Sequence, residues 1–187
     1  MRVLGISGSL RRDSHNTALL RHAGELFEAE GAEFTIYDGL REIPIYDEDL
    51  DLESPHEAVA RIRSVVREAD AVFFATPEYN SSIPGGLKNA LDWLSRPSLE
   101  ESALRNKPVA VVGASTGAFG AVWAQAEVRK VLGAIGSRVV EGEVALGHAP
   151  TRFDESGRLV DEDIREQLTE VVDELMLVAS PRVAVAA

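Results

Sequence analysis

The sequence predicts an α/β fold in which one parallel β-sheet lies between two layers of helices. Short apolar runs alternate along the chain with longer segments whose apolar residues recur every three or four positions. Such runs are typical of buried strands, and such a periodicity is typical of amphipathic helices. Their alternation favours a parallel sheet with right-handed crossovers. At 187 residues the chain suits one domain better than two, and we expect residues 1–179 to form it.

Five strands and five helices are predicted, in strict β-α alternation. The strands are expected at residues 2–7, 33–37, 71–75, 108–113 and 142–146. Apolar stripes indicate three of the helices: Leu19, Leu20, Ala23, Leu26 and Phe27 in the first, Val59, Ile62, Val65 and Val66 in the second, and Leu87, Ala90, Leu91 and Leu94 in the third. The last two helices are expected at residues 122–135 and 161–178.

Several boundaries follow from residue type. Gly31 is suited to end the first helix. Ser54 is predicted to cap the second helix, with Pro55 at its first position. Residues 39–53 form an acidic loop, and we expect the tail, residues 180–187, to be frayed.

The composition excludes several classes of protein. Asp and Glu outnumber Lys and Arg by 31 to 19, and the net charge of −12 argues against nucleic-acid binding. No apolar run reaches the roughly 20 residues that span a bilayer. The chain has no cysteine, which excludes disulfides and thiolate chemistry, and its four histidines lack metal-ligand spacing. The first residues do not have the pattern of a signal peptide, so we expect a cytoplasmic protein.

Three loops rich in Gly, Ser, Thr and Asn follow the first, third and fourth strands. In a flavodoxin-type sheet, with strand order 2-1-3-4-5, these strands are neighbours. Their loops then meet at the carboxyl edge of the sheet, where ligands bind in such folds. The sequence therefore predicts one ligand site built from residues 8–17, 76–84 and 113–120.

The first of these loops offers hydroxyl, amide and guanidinium groups at the start of a helix. This donor set suits a terminal phosphate, and it lacks the glycine patterns of dinucleotide folds and P-loops. A phosphomonoester on such a scaffold favours FMN as the ligand. The alternative is an ordinary helix start in which Ser14 is only the N-cap.

The other two loops suit a flat ring. Two prolines stiffen residues 76–84, and Tyr79 can lie against a heteroaromatic system. Glu78 resembles a catalytic acid, but a lone carboxylate is more often a capping or ion-pairing residue. The glycines of residues 113–120 let the backbone approach a ligand, and N–H groups ahead of a helix favour developing negative charge. The alternative for this third loop is a flexible turn.

Three segments of the chain resemble the signature segments of the NADPH-dependent FMN reductase family, which includes bacterial chromate and quinone reductases. They are SGSLRRDSHN, TPEYNSSIPGGLKNALDW and GASTGAFGAVWAQAEVRKVL. The similarity runs from residue 2 to about residue 146, and the middle segment is the most specific. It implies a flavodoxin-like fold, bound FMN, and NADPH or NADH as the electron donor. Three residues depart from the family pattern: Asp13 and Ser81 stand where glycine is common, and Thr116 where proline is common.

The resemblance also assigns cofactor-binding residues. The FMN phosphate would be held by Ser9, Arg11, Ser14, Asn16 and Thr17, with His15 among them in the same segment. The isoalloxazine would be lined by Pro77, Glu78, Tyr79, Asn80 and Ser81, and its pyrimidine side would face Ser115 and Gly117. We expect no side-chain nucleophile and no metal. Replacing Ser14 and Asn16 by alanine should weaken FMN binding and leave the apoprotein folded.

These observations predict an FMN-dependent oxidoreductase. The nicotinamide would reduce FMN and leave, and a small acceptor such as a quinone, a flavin, an azo compound or chromate would then take two electrons. Two alternatives belong to other classes: a flavodoxin-type single-electron carrier, which the acidic charge favours, and a flavin-free binding module. We also expect a homodimer or homotetramer in which a neighbouring chain covers part of the flavin, with the helix at residues 87–94 and Trp93 as candidate interface elements. The alternative is that Trp93 is simply a core residue.

Overall fold

The computed structural model describes residues 1–180. Of the tail predicted to be frayed, residues 180–187, only Ser180 belongs to the described residues, and the rest lies outside them. Ser180 ends the last helix, and its N–H and O–H groups both donate to the carbonyl of Met176.

The sheet is parallel throughout and has the predicted strand order. Its long strands are β1 (Arg2–Ser7), β2 (Glu33–Tyr37), β3 (Ala71–Thr76) and β4 (Pro108–Ala114), followed by the short strands β5 (Arg138–Val139) and β6 (Ala145–Leu146). The order across the sheet is β2-β1-β3-β4-β5, and β6 also pairs with β4. The prediction of a flavodoxin-like α/β fold is therefore confirmed.

The fifth strand differs from the single run predicted at residues 142–146. It consists of two pieces, β5 and β6, which pair with the beginning and the end of β4. Between them the guanidinium of Arg129 donates to the carbonyls of Val140 and Gly142. The carboxylate of Glu174 accepts the N–H groups of Glu141 and Gly142 at 2.9 and 2.8 Å. These two side chains satisfy backbone groups that a continuous strand would pair, so the chain can leave the ladder there.

Five α-helices lie among the described residues: α1 (His15–Ala29), α2 (Glu57–Glu68), α3 (Gly85–Leu94), α4 (Val122–Ile135) and α5 (Glu162–Ala179). The start of α2 was predicted wrongly. His56, and not Ser54, is the N-cap, because its Nδ1 accepts the N–H of Ala58 at 3.2 Å. Pro55 consequently precedes the helix. No helix within residues 1–180 is long and apolar enough to cross a membrane.

Each face of the sheet carries its own apolar core. Side chains of β3 alternate between them, so that Phe74 packs with α2, α3 and α4, while Phe73 packs with α1 and α5. Both phenylalanines are fully buried. The three-layer arrangement follows from this period-two alternation, since successive residues of a strand face opposite sides.

Trp93 belongs to the core and is not an interface residue, which corrects the expectation stated above. Its side chain is fully buried, and its indole N–H donates to the carbonyl of Pro44 at 2.9 Å. Arg63 also holds the acidic loop against this region. Its guanidinium donates to the Trp93 carbonyl and to the carboxylate of Asp51, the latter at 2.8 Å. Both partners of this ion pair are shielded from solvent.

Candidate active site

The three predicted loops meet at the carboxyl edge of β1, β3 and β4 and enclose an open cleft of about 360 Å³. Its lining includes nine of the residues predicted to bind the cofactor: Ser9, Arg11, Ser14, His15, Asn16, Pro77, Glu78, Tyr79 and Ser115. Ala114, Thr116 and Pro150 complete the lining. The remaining predicted residues, Thr17, Asn80, Ser81 and Gly117, belong to the same loops but do not line the cleft.

Hydroxyl groups shape the first loop. The Oγ of Ser14 accepts the N–H groups of Asn16 and Thr17 at 3.2 and 3.4 Å, so Ser14 is indeed the N-cap of α1. The Oγ of Ser9 accepts the N–H of Arg11 at 3.3 Å, and the Thr17 hydroxyl donates to Ser7 at 3.0 Å. These bonds fix the backbone of the loop before any ligand binds.

The same loop retains capacity for an anion. Among residues 1–180, the backbone N–H groups of Asp13 and His15 donate to no acceptor. The first turn of α1 carries no acidic side chain, so the positive end of the helix dipole is not neutralised from within the helix. Arg11 lines this end of the cleft. The donor set therefore suits a phosphate group.

Asn16 links the first loop to the third. Its side-chain Nδ2 donates to the carbonyl of Ala114, and its Oδ1 accepts the N–H of Ala114, both at 2.9 Å. Asn16 is 3% exposed and Ala114 is 2% exposed. The amide thus spans from the start of α1 to the end of β4, and a contact of this side chain with phosphate stays a prediction.

His15 packs flat on an aromatic ring. Its imidazole stacks on Phe153, with centroids 5.5 Å apart and planes inclined by 18°. Burial, and to a smaller degree the positive charge of Arg11, lower the pKa of His15. The sequence analysis missed Phe153, because nothing in its local sequence connects it with a loop more than 130 residues earlier.

The second loop contains a tight turn. Tyr79 and Ser82 exchange two backbone hydrogen bonds of 3.2 Å, and the residues between them, Asn80 and Ser81, have φ angles of 53° and 57°. Two successive residues with positive φ define a type I′ turn, which favours glycine or asparagine. This explains why glycine is common at the position of Ser81. The turn leaves the Tyr79 ring half exposed at the mouth of the cleft.

Two carboxylates tie the second loop to α4. Glu78 accepts the N–H groups of Trp123 and Ala124 at 3.0 and 3.1 Å and so caps the helix. Glu127, which the sequence analysis missed, accepts the Ser82 hydroxyl at 2.5 Å and the N–H of Ile83 at 3.3 Å. These two bonds keep the pKa of Glu127 below its ordinary value. Glu78 is therefore bonded as a helix-capping residue. The sequence had left this role open beside that of a catalytic acid.

The third loop depends on glycine and on its neighbour β6. Gly120 has a φ of 57°, and a Cβ atom there would collide with the carbonyl of Ala145. Glu78 accepts the N–H groups of Trp123 and Ala124 in the first turn of α4, so these two groups are not available to a ligand. The N–H groups of Thr116, Gly117 and Ala118 donate to no acceptor within the described chain. They are among the donors that this loop can offer.

The cleft thus has an anion-binding end at α1 and a flatter end between Tyr79 and the third loop. This arrangement fits a planar heterocycle that carries a terminal phosphate, and it lies at the strand edge where α/β sheets bind nucleotides. The fold and the site together define a flavodoxin-like protein with an FMN-type cleft.

Comparison with known proteins identifies the family. Residues 1–151 match the NADPH-dependent FMN reductase family. An NAD(P)H-dependent FMN reductase of Pseudomonas aeruginosa is 42% identical over 178 residues, which cover 95% of this chain and 94% of that protein. A quinone reductase of Pseudomonas putida is 41% identical over 160 residues, 85% of this chain and 84% of the relative. The solved structure of the flavoenzyme NAD(P)H:(acceptor) oxidoreductase FerB from Paracoccus denitrificans superposes with a TM-score of 0.85 at 34% identity, covering 95% of this chain and 96% of FerB.

The chain belongs to the NADPH-dependent FMN reductase family. It is an FMN flavoprotein and an oxidoreductase that uses a nicotinamide nucleotide as electron donor. The resemblance found in its three loop segments is confirmed.

Proposed function

We propose that this enzyme transfers two electrons from NADPH or NADH to a small organic acceptor, with quinones as the first class to test. Bound FMN would supply the redox chemistry, namely acceptance of a hydride from the nicotinamide and delivery of two electrons to the second substrate. The observation that carries the proposal is the three-loop cleft, whose two ends suit the phosphate and the ring of one FMN molecule. The similarity to a quinone reductase of Pseudomonas putida supports the choice of acceptor.

The protein's own groups would bind and orient the cofactor. Arg11 and the hydroxyl groups of Ser9 and Ser14 would contact the phosphate directly together with free amides of the first loop, because both hydroxyl oxygens accept N–H groups but neither O–H donates within the described chain. Asn16 and Thr17 would hold that loop in shape. His15 would lie beside the phosphate. We assign the ring to Pro77, Glu78, Tyr79, Asn80 and Ser81 on one side, and to Ser115 and Gly117 on the other. The amides of residues 116–118 would donate to the ring edge where negative charge develops on reduction.

A single-electron carrier of the flavodoxin type is the weaker alternative. The acidic charge of the chain is compatible with it, but an acidic surface also serves solubility alone. The curated relatives described above are reductases, which favours the enzyme. The number of electrons per reduction step separates the two functions.

We also propose that residues 1–179 form one FMN-binding domain, that the chain assembles as a homodimer or homotetramer, and that it works in the cytoplasm, where the nicotinamide donor is found.

Exposed apolar side chains support an assembly: Ile45 is 82% and Leu52 is 62% exposed. Because Trp93 is buried, Ile45 and Leu52 replace it as the proposed interface residues. Light scattering of the wild type and of Ile45→Asp measures the mass directly, and a monomer with full activity would refute the assembly.

The function is tested on the purified protein in three steps. Heat-released cofactor is identified by chromatography, anaerobic NADPH or NADH is added to follow bleaching of the flavin, and a redox titration counts the electrons in each step. We expect FMN, complete bleaching by the nicotinamide, and one two-electron step. Two well-separated one-electron steps, with no reaction toward either nicotinamide, would make the carrier the better assignment.

Two neighbouring arginines supply a matched pair for the site. Arg11 lines the cleft and Arg12 does not, although both are exposed. Arg11→Ala should weaken FMN binding by about 10- to 100-fold, since a hydrogen bond to a charged group contributes roughly 1.5–3 kcal/mol. Arg12→Ala should leave the affinity almost unchanged. Equal effects of the two substitutions would mean that only the overall charge matters.

A further inference from the structure

The exposed aromatic side chains of the molecule lie at one place. Among the Phe, Tyr and Trp residues of the described chain, the exposed ones are Tyr79, Phe119 and Trp123. Tyr79 follows β3 and lines the cofactor cleft, and the other two follow β4, at the same edge of the sheet. Exposed aromatic groups that collect at one site are a mark of binding.

Phe119 and Trp123 form a pair, which we call the aromatic rim. Their ring centroids are 5.0 Å apart and their planes are inclined by 64°. Phe119 is 63% exposed and Trp123 is 47% exposed. An edge-to-face contact between two rings is favourable. Because both side chains are exposed, ring surface stays open to a further planar group.

The aromatic rim is fixed to the cleft through the backbone. The N–H of Trp123 donates to the Glu78 carboxylate, and Glu78 lines the cleft. Phe119 lies in the same loop as Ser115 and Thr116, which also line it. A ligand that rests on the rim therefore lies next to the flat end of the cleft, where the flavin ring is assigned.

Charge narrows the ligand class. The two carboxylates at this corner, Glu78 and Glu127, accept hydrogen bonds from neutral groups, and neither forms an ion pair within residues 1–180. Lys130 is the nearby cation that acts on Glu127, so two carboxylates face one positive charge and the corner stays negative. An oxyanion would be repelled by them, whereas a neutral planar molecule would not. Aromatic surface adds an attraction that grows with the size of the stacked ring system.

We propose that Phe119 and Trp123 are specificity-determining residues on which a neutral, planar, fused-ring acceptor stacks. They would favour such acceptors over single-ring or inorganic ones. This inference rests on the proposed function, because it assumes that the acceptor reaches the flavin from the mouth of the cleft. A second copy of the chain that covers the rim is the competing occupant.

Binding can be measured without turnover, because the two tryptophans differ in environment. Trp93 is fully buried, whereas Trp123 is half exposed, so a ligand on the rim should quench chiefly Trp123. Oxidised holoenzyme without nicotinamide is titrated with 1,4-naphthoquinone. We expect saturable quenching in the wild type and a Kd raised by about three- to tenfold in Phe119→Ala, where the reporter is kept and its partner ring is lost. Leu177→Ala, an exposed apolar residue on α5, is the matched control and should bind like the wild type.

Kinetics and mass complete the test. In Trp123→Ala the KM for 1,4-naphthoquinone should rise by a similar factor, while the KM for 1,4-benzoquinone and ferricyanide and the rate of flavin reduction by NADPH change little. If the wild type reduces no quinone, the choice of quinones as acceptors is wrong and the present inference falls with it, whereas complete bleaching of the flavin by nicotinamide would still uphold the oxidoreductase. If the wild type does reduce quinones, and both rim variants match it, only the present inference is overturned. A fall in mass by light scattering in either variant would likewise overturn it, because the rim would then be covered by a second copy.

Discussion

Asn16 offers the sharpest test of how the site is built. Asn16→Ala removes a side chain whose donor and acceptor both bind the backbone of Ala114, at 2.9 Å each. Since Ala114 is 2% exposed, its N–H and carbonyl would lose their side-chain partner in a region closed to bulk water. The expectation that alanine at Ser14 and Asn16 leaves the apoprotein intact therefore changes for Asn16.

The cost follows from the number of groups left without a partner. Each buried backbone group left unsatisfied costs about 1–3 kcal/mol, so two of them cost about 2–6 kcal/mol. The lower end applies if a water molecule enters the space of the lost amide. Against a total stability of about 5–15 kcal/mol for a domain of this kind, the loss is large.

Urea unfolding of the apoproteins measures this loss, and Asn89 supplies a matched control. The Asn89 amide also makes two bonds to backbone, accepting the N–H of Tyr46 and donating to the carbonyl of Pro44 at 2.8 Å each, but it is not among the residues that line the cleft. Asn89→Ala should destabilise the fold and have no direct effect on FMN affinity. Asn16→Ala should lower both the free energy of unfolding and the FMN affinity. The reasoning is refuted if the Asn16→Ala apoprotein unfolds within about 0.5 kcal/mol of the wild type while its FMN affinity collapses, because Asn16 would then be a ligand of the phosphate and not a link within the fold.

Three further outcomes are expected. Glu78→Ala should lower the free energy of unfolding by about 0.5–2 kcal/mol through loss of the α4 cap. Glu78→Gln should keep most of the stability, because its amide oxygen still accepts the N–H groups. Equal losses of the two variants in chemical denaturation would contradict capping. The pKa of His15 is lowered in the folded apoprotein, so below pH of about 6.5 the unfolded chain binds more protons. Stability should therefore fall as the pH drops from about 6.5 through the folded pKa, and His15→Phe should flatten this part of the wild-type curve; superimposable curves would show that His15 does not contribute. Gly120→Ala should lower the melting temperature strongly, since its Cβ would collide with Ala145 and its φ is 57°, whereas Gly117→Ala, with only the Ser115 Oγ nearby at 3.8 Å, should melt like the wild type; the opposite order would refute the packing argument.

Much of this protein could be predicted from local sequence pattern. Apolar runs and helical periodicity located the four long strands and five helices, because burial on one or two faces imposes a period on the residues themselves. The three loops were found from their residue types. Gly, Ser, Thr and Asn collect where a chain must turn and donate hydrogen bonds, and alternation of strands and helices brings the ends of neighbouring parallel strands to one edge.

Pairings between distant residues could not be predicted in this way. Glu127 carries no local signal of its bond to Ser82, and Phe153 carries none of its stacking on His15. Trp93 was a candidate interface residue, and its local sequence could not distinguish a core position from an interface position. That choice depends on what lies opposite the ring, which here is the segment at Pro44 and Tyr46.

The sequence by itself determined the order of the elements, the parallel sheet and the polar loops at its carboxyl edge, because each depends on the period and type of neighbouring residues. Only the tertiary structure decided which polar groups of those loops are free. The Asn16 amide is bonded within the fold and Glu78 caps the first turn of α4, whereas Arg11, the O–H groups of Ser9 and Ser14 and the unpaired amides stay available to a ligand. The bond of Asn16 to Ala114 joins residues 98 positions apart, and such partners are set by packing in three dimensions.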